Sequence, residues 1–381
     1  MLLQKLVLKN LLSFKDSTVE LGPLNVLIGP NAVGKSNLIE AISLLQAAPT
    51  SLAKEILRGG GARRWLWMGQ DVAELASLTC EVKLPNGPVT YHLEFDGAGG
   101  LRITQEYLTN SASGATYFRR DPNRIELPDE ALSFEHSDNQ PPVIRPDESV
   151  LSRFKKPRDP TPITNLGLQF ERIKIFREFR TGVGSPARYG VSTSVPKDFI
   201  SEGGDNLALA LLELDFHDAH QRINDYLARF CERFEVVKIQ VNQGIAQTFL
   251  RERGLTEPLS AIRMSDGTLK FLCLLAALFN PTPPPLICIE EPDIGMHPDA
   301  VRLVAEALVE ASERVQLVIT THSEALIDAL SDRPESVLVC ERDFDNSTQF
   351  KRLSAEQLDE WLQHYTLADL WRKGEIGGRR S

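Results

Sequence analysis

The sequence predicts an α/β fold: a mainly parallel core sheet, an antiparallel β lobe and an inserted region rich in loops and helices. Three observations carry this. Leu24–Ile28, Leu286–Ile289 and Val315–Ile319 are short apolar runs, the pattern of strands buried on both faces, and the helix Asp299–Ser312 separates the last two. Residues 78–108 alternate apolar and polar (LTCEVKL, VTYHLEF, LRITQEYL), with turns at Asn86-Gly87 and Gly97–Gly100, as antiparallel strands do. Prolines at 122, 128, 141, 142, 146, 157, 160 and 162 then break residues 109–165 into long loops and exclude a long coiled coil.

Along the chain, residues 2–9 and 17–28 read as strands, the second broken at Gly22-Pro23. A glycine-containing loop at 29–34 leads into the helix Ser36–Ala47, whose Leu38, Ile39, Ile42 and Leu45 share one face. Gly59-Gly60-Gly61 ends this unit. Regular patterning returns near Leu168, with helices at Leu207–Leu214 and Ile223–Phe234 and strands at Val236–Val241 and Gln247–Leu250. Thr268–Phe279 reads as a buried helix. The expected division is one unit made of 1–60 and 200–381, with 61–199 inserted into it as a β- and loop-rich lobe.

Composition bounds the function. Of 381 residues, 42% are hydrophobic and 25% charged, which excludes wholesale disorder and collagen-like repeats. The net charge of −10 excludes a protein that coats nucleic acid through bulk charge, so any DNA contact needs a local patch. Five scattered cysteines without a CxxC pair argue against a disulfide scaffold or a zinc site and fit reduced cytosol. The longest apolar run, Phe271–Phe279, is less than half of the ~20 residues a spanning helix needs. The N-terminus carries Lys5 and Lys9 and alternates like a strand rather than a signal peptide. A cytoplasmic protein without membrane insertion is expected.

Three strand ends carry the chemistry. Gly29-Pro30-Asn31-Ala32-Val33-Gly34-Lys35-Ser36 fits GxxxxGK[ST], with an apolar strand before it and an amphipathic helix, beginning Ser36-Asn37, after it. Its glycines let backbone N–H groups turn inward around a phosphate, and the helix N-terminus adds positive potential. Lys35 is then expected to reach the outer phosphates of ATP, and the Ser36 hydroxyl to ligate Mg²⁺. The strand Leu286–Ile289 ends in Glu290-Glu291-Pro292-Asp293. Glu290 is expected to hold Mg²⁺, through water or directly, and Glu291 to act as general base on the attacking water. The strand Val315–Ile319 ends in Thr320-Thr321-His322-Ser323, which puts His322 at a carboxyl end of the sheet, where open α/β folds bind ligands. No further histidine or cysteine stands at zinc-ligand spacing.

The order of phosphate loop, insertion, Arg263-Met264-Ser265-Asp266-Gly267-Thr268-Leu269-Lys270, EEPD strand and TTHS resembles the ABC-type ATPase heads of the RecF/SMC class. It is more closely similar to the bacterial AAA-domain group of predicted ATPases, which includes those of OLD-like and other defence systems. The likeness covers roughly 1–60 and 200–330, and Leu367–Gly378 also looks like that group. It implies that Ser265 and Gly267 contact the outer phosphate bound on the opposite subunit, with Asp266 standing for the first glycine of LSGGQ and Thr268 for its glutamine. It also implies that Gly295-Met296-His297-Pro298 forms the D-loop beside Glu291, crossing the dimer interface, and that His322 is the switch histidine. The Q-loop glutamine has three candidates, Gln70, Gln105 and Gln169. Asn10 and Phe14 are expected near the base.

The function so implied is an ATPase whose two heads close around two ATP molecules, a homodimer coupled to DNA repair or maintenance or to anti-phage defence. Alternatives are the ATPase subunit of a membrane transporter, and a regulatory ATPase of a toxin or nuclease complex without its own DNA binding. The roughly 60 residues after His322 are too few for an appended nuclease, so a nuclease or toxin would come from a separate chain. A non-enzymatic scaffold is disfavoured by the presence of Glu290, Glu291 and His322. The DNA case rests on Arg145, Arg153, Lys155, Lys156, Arg158, Arg172, Lys174, Arg177, Arg180 and Arg188, and on Arg372, Lys373, Arg379 and Arg380.

Overall fold

The computed structural model describes residues 3–69, 73–97, 99–122, 124–127, 144–154, 161–215 and 219–377. Gln70, Lys155, Lys156, Arg158, Arg379 and Arg380 lie outside the described residues, as does 128–143 of the proline-rich stretch. Three strands open the chain: β1 (Leu3–Leu11), β2 (Phe14–Glu20) and β3 (Leu24–Ile28). β3 runs into helix α1 (Lys35–Ala47). The lobe follows as β4 (Leu75–Leu84), β5 (Gly87–Asp96), β6 (Arg102–Asn110), β7 (Thr116–Asp121) and β8 (Arg124–Glu126). Then come β9 (Lys174–Phe176), a small group β10 (Val191–Ser192), β11 (Phe234–Asn242), β12 (Ile245–Glu252) and β13 (Leu259–Ser260), and finally β14 (Leu286–Glu290), β15 (Gln316–Thr320), β16 (Val337–Arg342) and β17 (Thr348–Arg352).

The core sheet has the order β17-β16-β3-β15-β14-β9, parallel except at β17. The register sets Glu290 beside Thr320 and Thr320 beside Leu27, so the chain leaves β3, β14 and β15 along one edge. The second sheet, β2-β1-β4-β5-β6-β7-β8, is antiparallel throughout. β1 and β2 thus belong to the lobe's sheet, while β9 belongs to the core sheet. α1 lies between the two sheets, burying Leu38, Ile39, Ile42 and Leu45. The alternation of β3 divides two cores: Val26 and Ile28 pack with the helices Asp266–Leu278 and Pro298–Ser312, and Leu27 packs with α1 and the lobe. Gln316 ties the sheets together, its Oε1 accepting from Leu3 N at 2.8 Å and its Nε2 donating to Leu3 O at 2.7 Å.

The described part of 109–165 is more ordered than its prolines suggest, with β7, β8 and the helices Val150–Phe154 and Pro162–Glu171. The alternation of β7 is hidden because one of its inward residues is charged: Phe118 and Arg120 are both buried, and Arg120 donates to the Glu148 and Arg145 carbonyls. The helix expected to reach Phe234 ends at Phe230. Phe234 instead bonds to Cys231 O at 2.8 Å and begins β11 opposite Glu252.

Candidate active site

The phosphate loop is shaped by close backbone approach. Gly29 has φ +148° and Gly34 φ +111°; a Cβ at Gly29 would sit 2.5 Å from Cys340 O, and one at Gly34 would strike the Thr348 and Ser13 hydroxyls. Thr348 Oγ1 donates to Val33 O at 2.5 Å, and Arg342 Nη2 to Ala32 O at 2.5 Å, so β16, β17 and their turn hold the loop from outside. Lys35 opens α1 and is buried, its Nζ donating to Gly29 O and Pro30 O, both at 2.9 Å. Burial lowers the Lys35 pKa, while Cys340 and Glu291 pull it back up.

Ser36 and Glu290 meet. The Ser36 hydroxyl donates to Glu290 Oε2 at 2.7 Å, although 254 residues separate them. Glu290 Oε1 accepts from Arg177 Nη1 at 3.1 Å, and that nitrogen lies 3.6 Å from Glu40 Oε1. Burial raises the Glu40 pKa, opposed by Arg177 and reinforced by Glu290. Glu291 turns the chain out of β14 at φ +47°, its N–H bonding to Thr320 O at 2.9 Å and its Oε1 3.7 Å from His322 Nε2. Asp293 accepts from Thr321 Oγ1 at 2.7 Å, and burial raises its pKa. A cavity of about 320 Å³ opens beside these groups, lined by Arg177, Lys270, Glu290, Glu291 and Ile294. Asn37 lines a second, of about 660 Å³, with Ser13, Arg64, Trp67, Met68 and Arg342.

The residues suit a phosphate and its cation. The loop is a cradle that side chains at Gly29 and Gly34 would fill, and the adjoining pair, one hydroxyl and one carboxylate, are the hard oxygen donors that Mg²⁺ takes alongside phosphate and water. Among the described residues no group of three or more His, Cys, Asp and Glu is arranged to hold a metal ion.

Ser265 and Gly267 lie at the start of the helix Asp266–Leu278. Ser265 caps it, its Oγ accepting from Thr268 N at 3.1 Å, and a Cβ on Gly267 would come 3.2 Å from Gly295 O. His297 caps the next helix through Asp299 N at 3.3 Å and is exposed. Of the glutamine candidates, Gln105 pairs across the lobe with Glu94, and Gln169 lines a cavity with Pro283, Arg314 and Gln316 at the opposite ends of the core strands. Phe14 is fully buried and stacked on Phe350, and Asn10 O accepts from Trp67 N. The reading from sequence missed Arg177, Glu40 and Arg342. Arg177 was counted only as basic charge; its signal is the position after the short run Lys174-Ile175-Phe176. Arg172, Arg177, Arg180 and Arg188 all bond within the chain, to Pro283 O, Glu290, Asp205 and Asp266 respectively.

The family profile described as "AAA domain, putative AbiEii toxin, Type IV TA system" matches residues 94–328, more than half of the chain, and one described as "AAA ATPase domain" matches residues 1–163. An ATP/GTP phosphatase of Helicobacter pylori is 20% identical over 95% of this chain and 94% of its own length. An Smc head crystallised with the C-winged helix domain of ScpA superposes with a TM-score of 0.61 at 13% identity, covering 93% of this chain and 99% of that one. The SMC head domain from Thermotoga maritima gives 0.51 at 15% identity, covering 93% and 100%. Among the described residues no helix is long and apolar enough to cross a membrane. The chain belongs to this AAA-domain family and is an ATP-hydrolysing enzyme with the ABC-type fold of an SMC head.

Proposed function

We propose that the chain is a nucleotide-driven switch: two copies close around two ATP molecules and part after hydrolysis. The observation that carries the nucleotide site is the Ser36–Glu290 contact at 2.7 Å, which joins phosphate loop and acidic strand end; the two-copy closure is inferred from the likeness to SMC heads. Backbone N–H groups of Gly29–Asn37 cradle the phosphates. Lys35 exchanges the carbonyls of Gly29 and Pro30 for the outer phosphates. Ser36 and Glu290 would hold Mg²⁺, which would supply positive charge beside the phosphates. Glu291 takes the proton of the attacking water, and His322, 3.7 Å away, steadies Glu291 or the outer phosphate. Ser265 and Gly267 serve the site of the other copy, through the open N-terminus of their helix. Gly295–Pro298 runs between the two.

We read 1–60 and 200–381 as one cytoplasmic head and 61–199 as its inserted lobe, which lends β9 to the core sheet. The family description, "putative AbiEii toxin, Type IV TA system", favours a role in defence over transport or DNA repair. DNA ranks lower as a partner, because four arginines of the basic stretch are engaged inside the chain. The test is binding of a fluorescent ATP analogue. Lys35→Ala should lose binding while keeping the parent's melting temperature, and Glu290→Gln should bind only at raised Mg²⁺. Parent-like binding by Lys35→Ala removes the reading.

A further inference from the structure

The signature helix Asp266–Leu278 begins with a carboxylate, and that creates a conflict. Asp266 in the first turn favours its own helix, because the N-terminus carries partial positive charge. The same charge repels any anion that approaches this N-terminus. Asp266 is exposed, with 62% of its side-chain surface open, so it faces whatever docks there.

One residue addresses the conflict. Arg188 sits on the short helix Pro186–Tyr189, and its side chain is only 10% exposed. Its Nη2 donates to Asp266 Oδ1 at 2.5 Å. Its Nη1 donates to Met264 O at 2.7 Å and Ala261 O at 3.2 Å, and its Nε to Thr181 O at 2.5 Å. The guanidinium is therefore fixed on several sides, and its charge stands against the one carboxylate at the helix start. It also grips the carbonyl of Met264, directly before Ser265.

We propose that Arg188 is a positioning residue for the composite site: it neutralises Asp266 and fixes the Met264–Ser265 turn, so that the helix N-terminus accepts the phosphate of the second copy. A glycine in place of Asp266 would need no such partner, so Arg188 and Asp266 act as one unit. The inference rests on the head-to-head reading and adds a residue to it. A clip with a purely structural role would show the same bonds, but it would respond differently to charge.

The test uses the full chain carrying Glu291→Gln, which slows turnover, and reads ATP-driven dimerisation by light scattering against protein concentration at several salt concentrations. Arg188→Gln leaves Asp266 uncompensated and should raise the half-dimer concentration by about tenfold at low salt, less at high salt. Asp266→Asn, at an exposed position, leaves Arg188 in positive excess and should lower the half-dimer concentration a few-fold at low salt. The double variant should return to within about threefold of the parent. A defect in Arg188→Gln that the double variant retains, or an Asp266→Asn that weakens the dimer, overturns the inference in favour of a clip. Parent-like behaviour of both single variants also overturns it. A parent that stays monomeric with Mg²⁺-ATP overturns the head-to-head reading itself, and the inference with it.

Discussion

Glu106 in the lobe and Glu290 at the edge of the core sheet both accept hydrogen bonds, but their surroundings differ. Glu106 is fully buried on β6. Its Oε1 accepts from Tyr91 OH at 2.9 Å and Ser149 Oγ at 2.6 Å, and its Oε2 from Val150 N at 2.9 Å. Arg120 lies 3.9 Å away and is itself held by the Glu148 and Arg145 carbonyls. Glu290 has one hydroxyl and one guanidinium as partners and borders a cavity of about 320 Å³. A closed, satisfied network fixes structure: it pins the segment around Ser149 onto β6 and β7. A carboxylate beside open space, with partners that can be exchanged, is placed to receive a ligand.

The contrast breaks if chemistry and stability do not separate. The largest effect expected is on Glu291, the neighbour of Glu290. Glu291→Gln should reduce turnover by about 10²–10⁴-fold, measured as phosphate release, with little change in the denaturant midpoint. A loss under about tenfold would remove Glu291 as general base.

The lobe should show the reverse. Glu106→Leu leaves the Tyr91 hydroxyl, Ser149 hydroxyl and Val150 N–H without this acceptor and takes from Arg120 the strongest of its neighbouring acidic groups. The expected cost is about 3 kcal/mol or more in a denaturant melt. pH sharpens this. Burial raises the Glu106 carboxyl above its ordinary 4.5, against its hydrogen bonds and Arg120. The folded state then holds the proton more tightly than the unfolded chain. Its contribution is complete below 4.5 and fades as pH rises through the higher folded value. Glu106→Gln cannot titrate and should flatten that loss; an unchanged slope would assign it to other groups.

The same contrast explains what was legible in the sequence. β3, β14 and β15 are apolar on both faces, so their runs stand out, and the polar residues that follow, Lys35-Ser36, Glu290-Glu291 and Thr321-His322, are set off against them. Arg120 on a core-facing position of β7 hides an alternation that only the Glu106 network makes tolerable. β9 spans only Lys174–Phe176, too short for periodicity to register, yet it sets Arg177 beside Glu290. β16 and β17 supply Arg342 and Thr348 to the phosphate loop through pairings 310 and 315 residues apart, which no local pattern encodes.

Arg177 carries the finest prediction. Charge counting groups it with a basic stretch, whereas its Nη1 lies 3.1 Å from Glu290 and 3.6 Å from Glu40. A cation arriving at Glu290 must share the carboxylate with this guanidinium. Removing it leaves two carboxylates facing the same space, which favours a divalent ion. Partial exposure of Arg177 and Glu40, 34% of each side chain, and solvent screening keep the effect modest. Arg177→Ala should lower the Mg²⁺ concentration for half-maximal turnover by about three- to tenfold, with direct Mn²⁺ binding strengthened in parallel. If Arg177 contacts the nucleotide instead, the same variant will leave the Mg²⁺ requirement unchanged and raise the ATP concentration for half-maximal turnover. The two titrations therefore decide whether Glu290 shares its site with an internal cation or Arg177 belongs to the phosphate side.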